Sequence, residues 1–330
     1  MEKLYYFYFG ILGERKNCVI LRADRDNLLE GIRYNSEPKM VLQFKDGQLL
    51  SFLPKTAINI DPKTVDAFGE EWSKFNGFSD SEIKEIGDQY FDVAKKLLLP
   101  TSVVLDAGCG SGRWTKYVAN KVKFVEAIDP SNAVFVAYKM VKNLTNVRVT
   151  QSDIDNIPFA NESFDLVFCL GVLHHIPDTE KALNTLVGKL KKGGNLLVYL
   201  YYNLDNRGLG YKTCFFFADL LRKMVSALPF KIKAVVCDIL ALTLYLPLVY
   251  LSIFLKKLYP NKSWFRMVPL SYYRDKSWYV IRNDSLDRFG TPLEKRYSRL
   301  QIQEMMERAG LKDVLFSPNE PYWHCVGTKK

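Results

Sequence analysis

Residues 103–114, VVLDAGCGSGRW, restrict the fold of this 330-residue chain more tightly than any other stretch. An apolar run, an acidic residue and three glycines at alternate positions describe a strand that turns sharply into a helix. At Gly108, Gly110 and Gly112 the backbone is free to take dihedrals closed to other residues, and a ligand can approach closely. A dinucleotide fingerprint requires G-x-G-x-x-G, whose last glycine would fall at Arg113. The spacing here is G-x-G-x-G, with Asp106 two residues before the first glycine. A carboxylate so close to the turn suits a ligand carrying positive charge better than a pyrophosphate.

Downstream, residues 124–129 read as a second strand ending in Asp129, where a carboxylate can accept both hydroxyls of a ribose. Residues 147–154 read as a third strand leading to Asp153, and residues 164–171 as a fourth, followed by Val172-Leu173-His174-His175. Residues 190–199 form a glycine turn into a fifth strand. Five motifs spaced as alternating strands and helices carry far more weight than one glycine run. The series resembles class I S-adenosylmethionine-dependent methyltransferases, in the type 11 or ubiquinone-biosynthesis-like group and an uncharacterised bacterial subgroup of it. The resemblance implies an α/β, Rossmann-like, doubly wound seven-stranded sheet with its last strand antiparallel. It also implies S-adenosylmethionine as cofactor, S-adenosylhomocysteine as product and no metal. By the same resemblance the cofactor contacts are Asp106, Ala107, Gly108, Gly110, Gly112, Arg113, Asp129, Pro130, Ser131, Asp153, Ile154 and Leu170.

The six cysteines are scattered with no C-x-x-C pair, which argues against a disulfide framework or zinc site and points to a reducing cytoplasm. The apolar run at residues 4–12 is preceded by Glu2 and followed by no small-residue cleavage site, so it reads as a buried strand. The net charge of +10 is uneven: residues 201–330 hold 21 Lys/Arg against 11 Asp/Glu, whereas the first 200 hold 25 of each. An anionic acceptor, a membrane surface, nucleic acid or a merely solvated basic face would each suit that surplus.

The chain divides into a small strand-rich module (1–60), a cofactor-binding core with a preceding capping helix (61–202), an apolar helical insertion (203–270) and the end of the core fold (271–330). Asp46-Gly47 signals a hairpin in the first part. In the insertion, Phe217, Leu220, Leu221, Met224, Val225 and Leu228 form one apolar stripe, with Asp219, Arg222 and Lys223 opposite. Residues 239–255 carry no charge, are interrupted by Pro247 and end at Lys256-Lys257. A spanning helix needs about 20 apolar residues, so these 17 with a central proline favour a packed lid over the active site. The next reading is a lid that also meets a membrane surface through residues 203–260, placing the protein at the periphery of the inner membrane.

Methyl transfer from a sulfonium needs nucleophile, carbon and sulfur in line, and a base only when the acceptor must lose a proton. His174, directly after the fourth strand, is the candidate base, with His175 beside it. The competing reading is that both histidines fix the loop by hydrogen bonding. Tyr202, Arg207, Asp287 and Arg288 flank the insertion and are candidate acceptor contacts, unless Asp287 and Arg288 serve as salt bridges between elements. The leading expectation is an enzyme methylating a small-molecule or lipid/glycan-linked acceptor. RNA (tRNA or rRNA) is the alternative acceptor, disfavoured because no RNA-binding module is recognisable. A non-catalytic, cofactor-binding partner subunit is the third reading.

Overall fold

A computed structural model describes residues 31–330 except Asp46, Asn206 and Arg207. The apolar run at residues 4–12, Cys18 and the candidate contact Arg207 therefore lie outside the described residues. The hairpin β1 (Met40–Phe44) and β2 (Gly47–Ser51) is followed by helices α1 (Pro62–Lys74) and α2 (Asp80–Tyr90). The core then alternates β3 (Val103–Ala107), α3 (Arg113–Ala119), β4 (Phe124–Asp129), α4 (Ala133–Val141) and β5 (Val147–Gln151). It continues through β6 (Phe164–Leu170), α5 (Thr179–Lys189) and β7 (Leu190–Tyr199). The insertion holds α6 (Leu209–Ser226), α7 (Phe230–Leu240) and α8 (Leu246–Leu258). Helices α9 (Trp278–Gly290) and α10 (Arg299–Arg308) and strands β8 (Leu311–Phe316) and β9 (His324–Lys329) complete the chain.

The nine strands of the described residues form one sheet in the order β1-β2-β5-β4-β3-β6-β7-β9-β8. The central five are parallel, because each returns through a crossover; β9 runs antiparallel to both β7 and β8. The seven strands from β3 onward are the doubly wound arrangement expected. The other two come from the N-terminal hairpin, which joins the same sheet through a parallel pairing of Ser51 with Gln151. Strands β3, β4 and β6 are buried along nearly their whole length, as a sheet covered by helices on both faces requires. Strand order reverses between β3 and β6, so a crevice opens at their carboxyl ends.

Two features of the insertion depart from the sequence reading. Pro247 does not break its helix: Phe230–Leu258 runs on for 29 residues, with a π-helical stretch at Ala241–Tyr245 just before the proline. Proline lacks an N–H and crowds the carbonyl four residues back; the wider π turn relieves both. In helix α6 the expected stripe is split: Val225 is buried and Leu221 packs against the core, but the rest of the stripe within the helix faces out. Arg222 is buried while Phe217, Leu220 and Met224 are exposed. The reason lies in α9, whose last carbonyls have no intrahelical donors. Arg222 Nη1 donates to Thr291 O and Pro292 O (both 3.0 Å), and Lys233 Nζ donates to Gly290 O (2.9 Å).

Candidate functional site

The crevice is built on the turn after β3. Gly108 (φ +85°) and Gly110 (φ +52°) hold left-handed backbone, and Gly108 N–H and Cys109 N–H donate to Ile128 O (2.8 and 2.9 Å). A Cβ on Gly108 would lie 2.4 Å from Val172 Cγ2, so the β3 turn and the loop after β6 touch through bare backbone. Any side chain here would push apart the two strand ends that frame the crevice.

Asp129, at the end of β4, closes the other side. Its Oδ2 accepts from Gly110 N–H (2.9 Å), and its Oδ1 accepts from the Ser131 N–H (2.8 Å) and hydroxyl (2.6 Å). Burial pushes its pKa up, against these hydrogen bonds. Asp153 caps the short 3₁₀ turn after β5 by accepting from Asn156 N–H (2.8 Å) and Nδ2 (2.7 Å). Gly108, Gly110, Arg113, Asp129, Pro130, Ser131, Asp153, Ile154 and Leu170 all line one cavity. Ala107 and Gly112 do not. Neither does Asp106, which accepts the Thr115 hydroxyl on its Oδ2 (2.5 Å) beneath the turn; burial raises its pKa to about 8. Carboxylate, backbone turn and apolar wall together suit a nucleoside carrying a positively charged tail.

The fourth wall comes from α1, whose Thr64, Phe68 and Trp72 line the cavity. Trp72 reaches so far across that a Cβ on Gly110 would sit 2.9 Å from its Nε1. Arg113 lies over the rings of Trp72 and Trp114 (both 4.6 Å). Its pKa is lowered, chiefly by burial, and supported by the nearby Tyr90, Glu71 and Asp287. No insertion residue lines the cavity; among the described residues, the cover is α1.

The two histidines differ. His174 is fully buried, with both ring nitrogens unpartnered, and stacks on Tyr201 at 3.9 Å. His175 lines the cavity, and its Nδ1 donates to Leu293 O (2.6 Å). A carbonyl only accepts, so Nδ1 carries the proton and Nε2 keeps an unpartnered lone pair. Burial pushes His175 down to about 4 and His174 well below its ordinary value, so both are neutral near pH 7.

Behind Arg113 sits a group of buried tyrosines and carboxylates. The Tyr201 hydroxyl donates to Asp287 Oδ2 (2.6 Å), while Asp287 Oδ1 has no partner. Burial raises Asp287 to about 7 and Glu71 well above its ordinary value; Glu71 Oε1 accepts from Asn283 Nδ2 (2.7 Å). Asp287 and Arg288 do not pair: Arg288 Nε donates to Asp284 (3.1 Å) on its own helix. Tyr202 points the other way, its ring beside Tyr322 and Trp323 (5.8 and 6.4 Å). The residue facing Asp287 is Tyr201, on the same strand face as Tyr199. Strand alternation from Tyr199 was the signal for it. Among the described residues, no group of three or more His, Cys, Asp or Glu could hold a metal ion.

A family model described as a methyltransferase domain matches residues 105–198. The chain is 31% identical over 119 residues to a tRNA U34 carboxymethyltransferase of Campylobacter curvus, covering 35% of this chain and 40% of that protein. It is 32% identical over 114 residues to an uncharacterised methyltransferase of Mycobacterium tuberculosis, covering 34% of this chain and 58% of the relative. The chain thus spans less than two thirds of either relative's length. A solved magnesium protoporphyrin IX methyltransferase from Synechocystis with bound S-adenosylhomocysteine aligns over 79% of this chain and 94% of its own. Its TM-score is 0.44 and its identity 14%.

Proposed function

We propose that this chain, whose residues 105–198 match a methyltransferase domain, is a class I S-adenosylmethionine-dependent methyltransferase that passes the methyl group to a small-molecule or lipid/glycan-linked acceptor. When bound, the cofactor supplies a methyl carbon on a positively charged sulfur that leaves uncharged. The chain's residues hold and enclose it. Asp129 presents a carboxylate for the ribose, Asp153 and Ile154 border the base, and the Gly108–Gly110 backbone leaves room for the tail. Trp72 and Phe68 exclude water from the reacting end. His175 lines the cavity with a neutral ring whose buried Nε2 has no partner. That makes it the group that would accept a hydrogen bond or a proton from an acceptor hydroxyl or amine brought against it.

Enclosure is the observation that carries the acceptor half of this reading. The cavity is covered by Thr64, Phe68 and Trp72 of α1 and walled by Val172, His175 and Ile176 of the loop after β6, so an acceptor that offers a slim reacting end fits it best. A small molecule, or the head of a larger lipid- or glycan-linked one, does so directly. A base in a folded RNA would first have to be extruded, at a cost of a few kcal/mol. RNA is nonetheless the second reading, favoured by the tRNA-modifying relative and by the surplus of 21 Lys/Arg over 11 Asp/Glu in residues 201–330. Incubation with methyl-labelled S-adenosylmethionine and fractionated cell extract separates them. Label entering the lipid, glycan or small-molecule fraction is the expected result; label confined to RNA transfers the assignment to the second reading.

A further inference from the structure

We propose that the outer face of the insertion is a membrane-binding surface, seated on an anionic lipid bilayer with its helices lying along the interface. An ordinary surface helix turns one apolar stripe inward and a polar face outward; the insertion's long helix buries Ala234, Cys237, Ala241, Tyr245 and Val249 and yet is apolar on its outer face too. On the long helix Phe230–Leu258, the exposed stripe runs through Ile232, Val235, Ile239, Leu242, Tyr250 and Phe254. Of the inner residues, Lys233 and Asp238 bond to Gly290 O and Arg282 of α9, and Ser252 bonds to Phe265 O. Helix α6 repeats the pattern, with Phe216, Phe217, Leu220 and Met224 outside and Arg222 within. Only 28% of the most apolar window of the long helix is buried.

Charge selects the occupant. Residues 209–267 hold nine Lys/Arg and two Asp/Glu, and both acids face inward in ion pairs with Arg222 and Arg282. Lys212, Lys231, Lys257 and Lys262 are exposed, and no carboxylate among the described residues lies within ion-pair distance of them. Apolar stripes flanked by free lysines match an acyl surface beneath anionic headgroups. Trp264, 49% exposed beside Tyr259, is placed as an interfacial aromatic. The helix is long and apolar enough to cross a bilayer. Crossing would nonetheless surround with lipid an inner face that is bonded through Asp238 to Arg282 on α9, so a surface orientation fits better.

This inference goes beyond the proposed transfer reaction and needs no acceptor to be tested. The full chain is sedimented with vesicles of phosphatidylcholine alone or mixed with phosphatidylglycerol. The expected result is uptake by the anionic vesicles, with Trp264 fluorescence quenched by brominated acyl chains and that change lost in Trp264→Phe. The double substitution Ile239→Glu, Phe254→Glu should lower uptake at least about tenfold, with the heat of S-adenosylhomocysteine binding unchanged. Protein left in the supernatant with both vesicle types overturns the proposal. So does a wild-type dimer that the double substitution splits, which would give the face to a second copy. Equal uptake by both vesicle types overturns the anionic assignment, and RNA binding abolished by the same pair would give the face to nucleic acid.

Discussion

The cofactor core and the helical insertion differ in what they leave outside, although both bury apolar residues. In the core, Leu105, Ile128 and Phe168 are buried and the carboxylates at strand ends are held by backbone donors. In the insertion, Arg222 and Lys233 are buried alongside Val225, Tyr245 and Val249, while Phe217, Leu220, Met224, Leu242 and Phe254 are outside. The difference shows that an apolar pattern tells where a helix has a face but not what the face meets. What draws Arg222 and Lys233 inside is a specific debt of hydrogen bonds at the end of α9, which only a long cationic side chain could reach.

Glycine substitutions break this comparison most sharply. Gly108→Ala combines left-handed backbone with a Cβ 2.4 Å from Val172, and should cost about 2–4 kcal/mol and abolish S-adenosylhomocysteine binding. Gly208, which begins α6, has nothing within 4 Å of the place a Cβ would take, so Gly208→Ala should leave calorimetric binding unchanged. Equal effects at the two sites would show that the turn is not the tight contact described.

A second pair tests the buried charge and the exposed apolar face of the insertion. Arg222→Ala leaves Thr291 O and Pro292 O without their donor and should destabilise by about 2–3 kcal/mol. Phe254→Glu, placed on a residue 59% exposed, should change stability by less than about 0.5 kcal/mol in the absence of lipid. Thermal denaturation of both variants decides it; the reverse ranking would mean the insertion packs with its apolar face inward.

The sequence made the core legible because two periodicities and a glycine turn leave few alternatives there. The strand ends and the place of Asp129 followed from local pattern, while the antiparallel pairing of the last strand and the part of Asp153 and Gly110 came with the family resemblance that the pattern carries. Tyr201 was missed in favour of Tyr202 because the candidates were taken from a cluster, not from the strand's alternation. The side of α6 was misjudged because its deciding partners, the carbonyls of residues 291 and 292, lie about 70 positions away. The hairpin's place on the core sheet rests likewise on one distant pairing, Ser51 with Gln151.

Asp106 offers a test by pH. Its carboxyl is raised to about 8 by burial, whereas an unfolded aspartate titrates near 3.8. Between those values the folded protein holds a proton that the unfolded chain has released, so stability falls as pH rises through the window. Below about pH 4 both states are protonated and the effect is absent. Asp106→Asn keeps an acceptor for the Thr115 hydroxyl and should flatten this decline, by on the order of a few kcal/mol across the window. The insertion's Asp238, paired with Arg282 and shifted down, contributes with the opposite sign and at lower pH. Denaturant midpoints for the two asparagine variants should therefore diverge from wild type in opposite directions above pH 6.

The smallest expected effect concerns the residue in the core that most resembles the insertion, a polar ring buried without partners. His174 is neutral at pH 7 and stacks on Tyr201, so its role is to fill space against that ring. Replacing it by phenylalanine preserves the stack and removes two unsatisfied nitrogens; stability should move by no more than about 1 kcal/mol. Cofactor affinity should stay the same. His175→Phe, by contrast, changes a ring that lines the cavity and takes away its unpartnered nitrogen and the donor to Leu293 O. It should slow turnover on the identified acceptor about 100-fold with little change in cofactor affinity. A loss of turnover in His174→Phe equal to that in His175→Phe would move the proton-accepting role one residue back, onto a ring the cavity does not reach.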